Sequence, residues 1–257
     1  QGVPKEATVT FGIAAAVGSL SDTANGAIAS VGGELMLPRS VVYSLEANDG
    51  SSMNWGRTYA TLTAHLPEPA NPYQATAVRI DENGRIRFAP SIFSNNGLVA
   101  IRSPYDGAYA VIETDHSFAD VNGHWAQEDI VLMANKLLVE GRGQGLFVPD
   151  DSVSRAEFAA MLVRALGLDD EPNDSTPFRD VAPGAWYAGA VRAAQQHQLI
   201  NGLGDGTFRP EAPVTREQMA VMIVRAMEYG GHAPDANGAT ARTFADAADI
   251  APWADAA

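Results

Sequence analysis

Val153-Ser154-Arg155-Ala156-Glu157-Phe158 is answered 61 residues later by Val214-Thr215-Arg216-Glu217-Gln218-Met219. Working outward from this pair, Trp125 falls on Trp186, Gly141 on Gly202, Phe147 on Phe208, Pro149 on Pro210 and Arg164 on Arg225, with no gap. Upstream, Phe118-Ala119-Asp120-Val121 returns as Phe178-Arg179-Asp180-Val181 and again as Phe244-Ala245-Asp246-Ala247. Rare residues held in register over this distance identify an internal repeat, which fixes the architecture before any local propensity is weighed. Each unit reads as helix, Gly/Pro loop, helix. In the first, Ala126, Ile130, Met133, Ala134 and Leu137 mark one helix face, with Gly141 as the expected stop. Phe158, Met161, Leu162, Ala165 and Leu166 then recur at helical spacing. In the second, Val191, Ala194 and Leu199 lead to Gly202, and Met219, Met222, Ile223, Ala226 and Met227 follow the loop.

The stretch before the repeats has a different period. Apolar runs at Ala7–Val17, Glu34–Leu37, Val41–Leu45, Tyr59–Leu66, Ala75–Ile80, Arg85–Phe88, Leu98–Ile101 and Tyr109–Ile112 are separated by Gly, Pro, Asn or Ser. Val78 to Phe88 alternates around Asn83-Gly84, a strong hairpin signal. The spacing predicts an all-β Ig-like sandwich or open barrel without long helices. The expected organisation is multidomain: a β module over 1–115, all-α repeats over 116–177 and 178–241, and the start of a third over 242–257. That third copy ends shortly after Trp253, and Gln1 is no initiator, so the chain reads as a piece of a longer protein that continues past Ala257.

Composition narrows the function. The net charge is −14, and most of the excess acid lies beyond residue 115. Phosphate backbones attract clustered cations, so nucleic acid is not an expected partner. No apolar run approaches the roughly 20 residues that span a bilayer. Cysteine is absent, which removes disulfides and thiolate metal sites. The five histidines are scattered without metal-ligand spacing, and no nucleophile elbow is present. No cofactor is expected. Calcium would need oxygen-rich loops such as Asn48-Asp49-Gly50 or Asp169-Asp170-Glu171, and neither is an EF-hand.

The motif pair holds the candidate chemistry. Ser154 with Glu157, and Thr215 with Gln218, have capping-box spacing. Capping leaves Arg155 and Arg216 unexplained, because a cation in the first helical turn opposes the dipole at a cost of roughly 0.3–1 kcal/mol. An anion gripped by guanidinium and first-turn N–H groups would reverse that sign. The alternative is an ion pair with Asp120 or Asp180. Trp125 and Trp186 are either core residues or stacking platforms for sugar rings. Asp120, Asp180 and Asp246 read first as turn residues. Gly204, Asp205 and Gly206 read as a tight turn with backbone near a ligand.

These runs, from Phe178-Arg179-Asp180-Val181 through Gly204-Asp205-Gly206-Thr207-Phe208 to Thr215-Arg216-Glu217-Gln218, resemble the S-layer homology domain, as does the copy ending Ser154-Arg155-Ala156-Glu157. The resemblance covers about 118–257. It implies three tandem repeats in a pseudo-threefold helical prism. It also implies binding of secondary cell-wall polysaccharide, often pyruvylated and linked to peptidoglycan, and so non-covalent tethering of an extracellular bacterial surface protein. The family's Thr-Arg-Ala-Glu motif maps onto 154–157 and 215–218, with departures at Ser154, Glu217 and Gln218. The first copy's loop, Gly143-Gln144-Gly145-Leu146-Phe147, departs from the second, so the first groove is expected to be weaker or differently tuned. The carbohydrate-binding set expected on residues and resemblance together is Asp120, Trp125, Ser154, Arg155, Glu157, Asp180, Trp186, Gly204, Asp205, Thr215, Arg216 and Gln218. Ser103 to Ile112 resembles the β module that often precedes such repeats. The chain itself is not expected to be an enzyme. The rival readings are a fragment of an extracellular glycan-degrading enzyme with its catalytic module elsewhere, and a lattice-forming protein that self-associates through the β module or the incomplete third repeat.

Overall fold

The computed structural model describes residues 9–37, 41–47, 59–81, 83–170, 178–232 and 250–254. They fall into two compact units, Gln1–Pro149 and Asp150–Ala257, so the dividing line runs inside the first repeat.

The first unit opens with β1 (Val9–Ala15), α1 (Ser19–Ser30), β2 (Glu34–Leu35), β3 (Val41–Ala47) and β4 (Ala60–His65). It continues with β5 (Ala75–Ile80), β6 (Ile86–Phe88), β7 (Ser91–Phe93), β8 (Leu98–Ser103), β9 (Gly107–Glu113) and α2 (Gln127–Asn135). One antiparallel sheet runs β1-β3-β9-β5-β6, with β2 also on β9; the other runs β4-β8-β7. The expected hairpin forms, with Val78 opposite Phe88 and Ile80 opposite Ile86. Asp81 organises its turn by accepting from the amides of Asn83 and Arg85, both at 2.9 Å. Residues of β5 and β9 point alternately to two cores. Ala77, Tyr109 and Val111 meet Leu62, Val99 and Ile101 of the smaller sheet. Val78, Ile80, Ala110 and Ile112 meet Ala24, Ala27 and Ile28 of α1. That explains why β5 is buried along its whole length.

The all-β expectation is therefore corrected: twelve residues of this region are helix. Ser, Asp, Thr, Asn and Gly within 19–30 read as loop, yet Leu20, Ala24, Ala27, Ile28 and Val31 share one helical face that covers the sheet. Burial of the apolar stripe outweighs weak local propensity. The short strand β7 also escaped the pattern.

The second unit contains α3 (Arg155–Ala165), α4 (Ala188–Gln196) and α5 (Arg216–Tyr229). Their core gathers Phe158, Val163, Leu168, Val191, Leu199, Phe208 and Met222. Alanines at 156, 159, 160, 190, 193 and 194 are all buried, which suits the close packing of α3 on α4.

The stops at Gly141 and Gly202 are also corrected. The helices end earlier, at Asn135 and Gln196, and the chain turns through left-handed Leu137 (φ 56°) and Gln198 (φ 61°). The two glycines serve close approach instead. A Cβ on Gly141 would lie 2.7 Å from the Phe118 ring, and one on Gly202 would lie 2.6 Å from the Phe178 ring. The third copy's Phe244 to Ala247, including Asp246, and the loop Asn48-Asp49-Gly50 lie outside the described residues.

Candidate functional site

Two carboxylates shape the loops of the repeats. Asp120 accepts from the amides of Phe147 at 2.9 Å and Val148 at 2.7 Å. Asp180 accepts from Phe208 at 2.9 Å and Arg209 at 2.8 Å. In each loop the second donor is a left-handed non-glycine residue, Val148 at φ 62° and Arg209 at φ 54°. That conformation is unfavourable for side chains with a Cβ, and the carboxylate bonds offset it. The bond from the Phe147 amide, with that from Val148, holds the Asp120 carboxyl below its ordinary pKa. The same geometry thus recurs 60 residues apart, each carboxylate clamping its loop.

Both motif serine/threonine positions form full capping boxes. Ser154 Oγ accepts from the Glu157 amide at 3.2 Å while Glu157 Oε2 accepts from the Ser154 amide at 2.7 Å. Thr215 and Gln218 repeat the exchange at 3.3 Å in each direction. The next two amides of α3 are also occupied: Arg155 donates to Ala212 O at 2.9 Å and Ala156 to Pro210 O at 3.0 Å. Val214 donates to Val153 O, and Ser154 bridges Pro213, so the lead-ins to the two motifs zip together. The expectation that first-turn N–H groups of α3 receive an anion is corrected, because those donors belong to the neighbouring loop.

The Arg155 side chain takes a third course, neither exposed nor ion-paired to Asp120 or Asp180 by direct contact. It is 6% exposed, donates from Nε to Phe208 O at 2.8 Å and from Nη2 to Asn201 O at 3.4 Å, and lies 4.6 Å over the Phe208 ring. Backbone carbonyls thus meet a cation that the helix N-terminus would repel. Burial lowers the guanidinium pKa and Arg209 adds to that, while Asp180 opposes it. Arg216 differs: it is exposed, and its side chain makes no hydrogen bond or ion pair among the described residues.

Arg155 borders an open groove of about 320 Å³. Its polar lining includes Asn201, Gln218 and Arg225; Leu203, Val221, Met222 and Trp253 supply apolar walls. Among the described lining residues none is acidic. Trp253, the third repeat's counterpart of Trp186, is 57% exposed and presents its ring there. Trp125 and Trp186 are 87% and 65% exposed, so neither is a core residue. Gly204 and Gly206 have positive φ, as a tight turn requires. Asp205 closes that turn on the Thr207 hydroxyl at 2.5 Å and amide at 3.0 Å, which hold its carboxyl below the usual range.

Of the expected residues, Arg155 and Gln218 line the groove, with Ser154, Glu157 and Thr215 capping the adjoining helices. Asp180, Gly204 and Asp205 build a loop of the same unit; Asp120 and Trp125 belong to the other unit. Asn201, Arg225 and Trp253 were missed. The register of Arg164 with Arg225, and of Trp253 behind the third Phe-Ala-Asp, was the available signal. No group of three or more histidine or carboxylate side chains converges on a metal-sized site among the described residues.

Residues 117–159 and 177–220 match the S-layer homology domain. The chain is 36% identical over 162 residues to an amylopullulanase of Thermoanaerobacterium thermosulfurigenes, covering 63% of this chain and 8% of that protein. It is 35% identical over 145 residues to exoglucanase XynX of Acetivibrio thermocellus, covering 56% and 13%. It is 39% identical over 95 residues to a surface layer protein of Brevibacillus choshinensis, covering 36% and 8%. The chain thus spans a small part of these relatives. The chain carries two copies of the S-layer homology domain. It is extracellular and cell-wall associated, and its repeats serve cell-surface anchoring.

Proposed function

We propose that the repeats anchor by binding an acidic secondary cell-wall polysaccharide, pyruvylated where the wall carries that group, and that this chain is a tether rather than a catalyst. The observation that carries the reading is the groove itself, where a buried, backbone-held Arg155 and the exposed ring of Trp253 border one cavity with apolar walls. Each surface suits one part of such a ligand. A ketal carboxylate meets guanidinium, its methyl group meets Met222 and Leu203, and the C–H face of a sugar stacks on the indole. Several modest contacts along one polymer add up through effective concentration. The glycan-cleaving relatives match over 8% and 13% of their lengths, which fits an anchor carried beside chemistry located elsewhere in those chains.

The test is sedimentation of the full chain with purified wall sacculi. The protein pellets with sacculi that retain their wall polymer and stays in solution once the polymer is stripped. Trp253→Ala weakens pelleting with the circular dichroism spectrum unchanged. Pelleting with stripped sacculi, or turnover of glycan by the chain, defeats the reading.

A further inference from the structure

The groove holds a second cation that the motif does not contain. With the Asn201 amide turned so that both its ends find partners, its oxygen accepts from Arg225 Nη2 at 3.0 Å and Nη1 at 3.3 Å, and its nitrogen donates to Ile200 O at 3.0 Å. The backbone oxygen of the same residue accepts from Arg155 Nη2 at 3.4 Å. One asparagine therefore aims two guanidinium groups, one through its main chain and one through its side chain. Both guanidinium groups line the groove, and none of the described residues lining it with them is acidic. An incoming pair of anionic groups would find a guanidinium for each. The aligned position in the first repeat is Glu140, across from Arg164 in the register, so by sequence that copy brings its own counter-charge where the second brings a neutral amide.

We propose that Arg225 is a second anion-gripping side chain of this groove, that Asn201 is its positioning residue, and that the groove takes a stretch of glycan bearing two acidic groups. This rests on the anchoring reading and adds the charge of the ligand and the residues that select it.

The experiment measures sedimentation of the full chain with polymer-bearing sacculi across a sodium chloride series, with thermal melting as the check on folding. Arg225→Gln and Asn201→Glu weaken binding by about tenfold or more, the loss expected for a charge-assisted hydrogen bond. They also flatten its salt dependence, because one fewer ion pair is screened. Asn201→Gln retains most of the affinity. Should Arg225→Gln melt early, Arg225→Met, which keeps the packing of the stem, carries the same test. Variants that bind like wild type, or that lose affinity while keeping the wild-type salt slope, overturn this proposal and leave the anchoring reading standing. A wild-type chain that never pellets removes both.

Discussion

Arg155 and Arg216 occupy one position in the repeat and lead different lives. Arg155 satisfies the Phe208 carbonyl from a buried site; Arg216 is exposed. Arg155→Ala should therefore lower the stability of its unit by about 1.5–3 kcal/mol, the cost of orphaning a buried acceptor of a charged donor. Arg216→Ala should stay within about 0.5 kcal/mol. Urea unfolding compares the two, and equal effects would contradict the buried geometry. The sequence showed that these arginines were misplaced for a helix, since the dipole rule needs only the capping box and the residue after it. It could not show that the answer to the misfit in α3 is a pair of carbonyls, because Asn201 and Phe208 lie more than forty residues away. Asp120 and Asp180 were legible as turn residues for a similar reason, while the amides they hold were not.

At the scale of elements, α2 is fixed to the β module by polar bonds. Asn135 is buried, accepts from the His116 amide at 2.7 Å and donates to Tyr73 O at 3.1 Å, and its backbone oxygen accepts from Thr114 Oγ1 at 3.0 Å. Lys136 donates to the carbonyls of Pro72, at 2.8 Å, and Ala75. The aligned residues of the second repeat are Gln196 and His197, so the second copy does not carry these two side chains. Burial lowers the Lys136 pKa to about 8. Between there and its ordinary 10.5 the unfolded chain binds the extra proton, so stability should rise with pH across that window. A neutral amine keeps two N–H donors, and both carbonyl bonds survive the change. Thermal melts of wild type against Lys136→Met measure it: wild type gains over the window and the variant does not. Helix α1 shows the limit of reading elements from sequence. Its stripe is interrupted by Ser, Asp, Thr, Asn and Gly and takes two of its members from alanine, a weak apolar signal until a sheet is there to cover.

For the whole chain, the duplicated register was the most legible feature, because self-similarity requires no knowledge of contacts. The groove was the least, since its lining comes from α3, the loop after α4, α5 and Trp253 together. The pairing of residues 153–156 with 210–214 makes the second unit cooperative across the repeat boundary. A chain ending at residue 209 should therefore lose α3 along with α5, and its circular dichroism should fall by more than the helix removed. Survival of α3 in that truncation would show that its N-terminus needs no neighbour.

A tether works under load, and that pairing decides how force travels. Tension entering at one motif passes straight into the lead-in of the next through the bonds between Val153 and Val214 and between Arg155 and Ala212. Shear on the chain should then load both motifs together, and single-molecule pulling should show α3 and α5 unfolding in one step rather than in sequence.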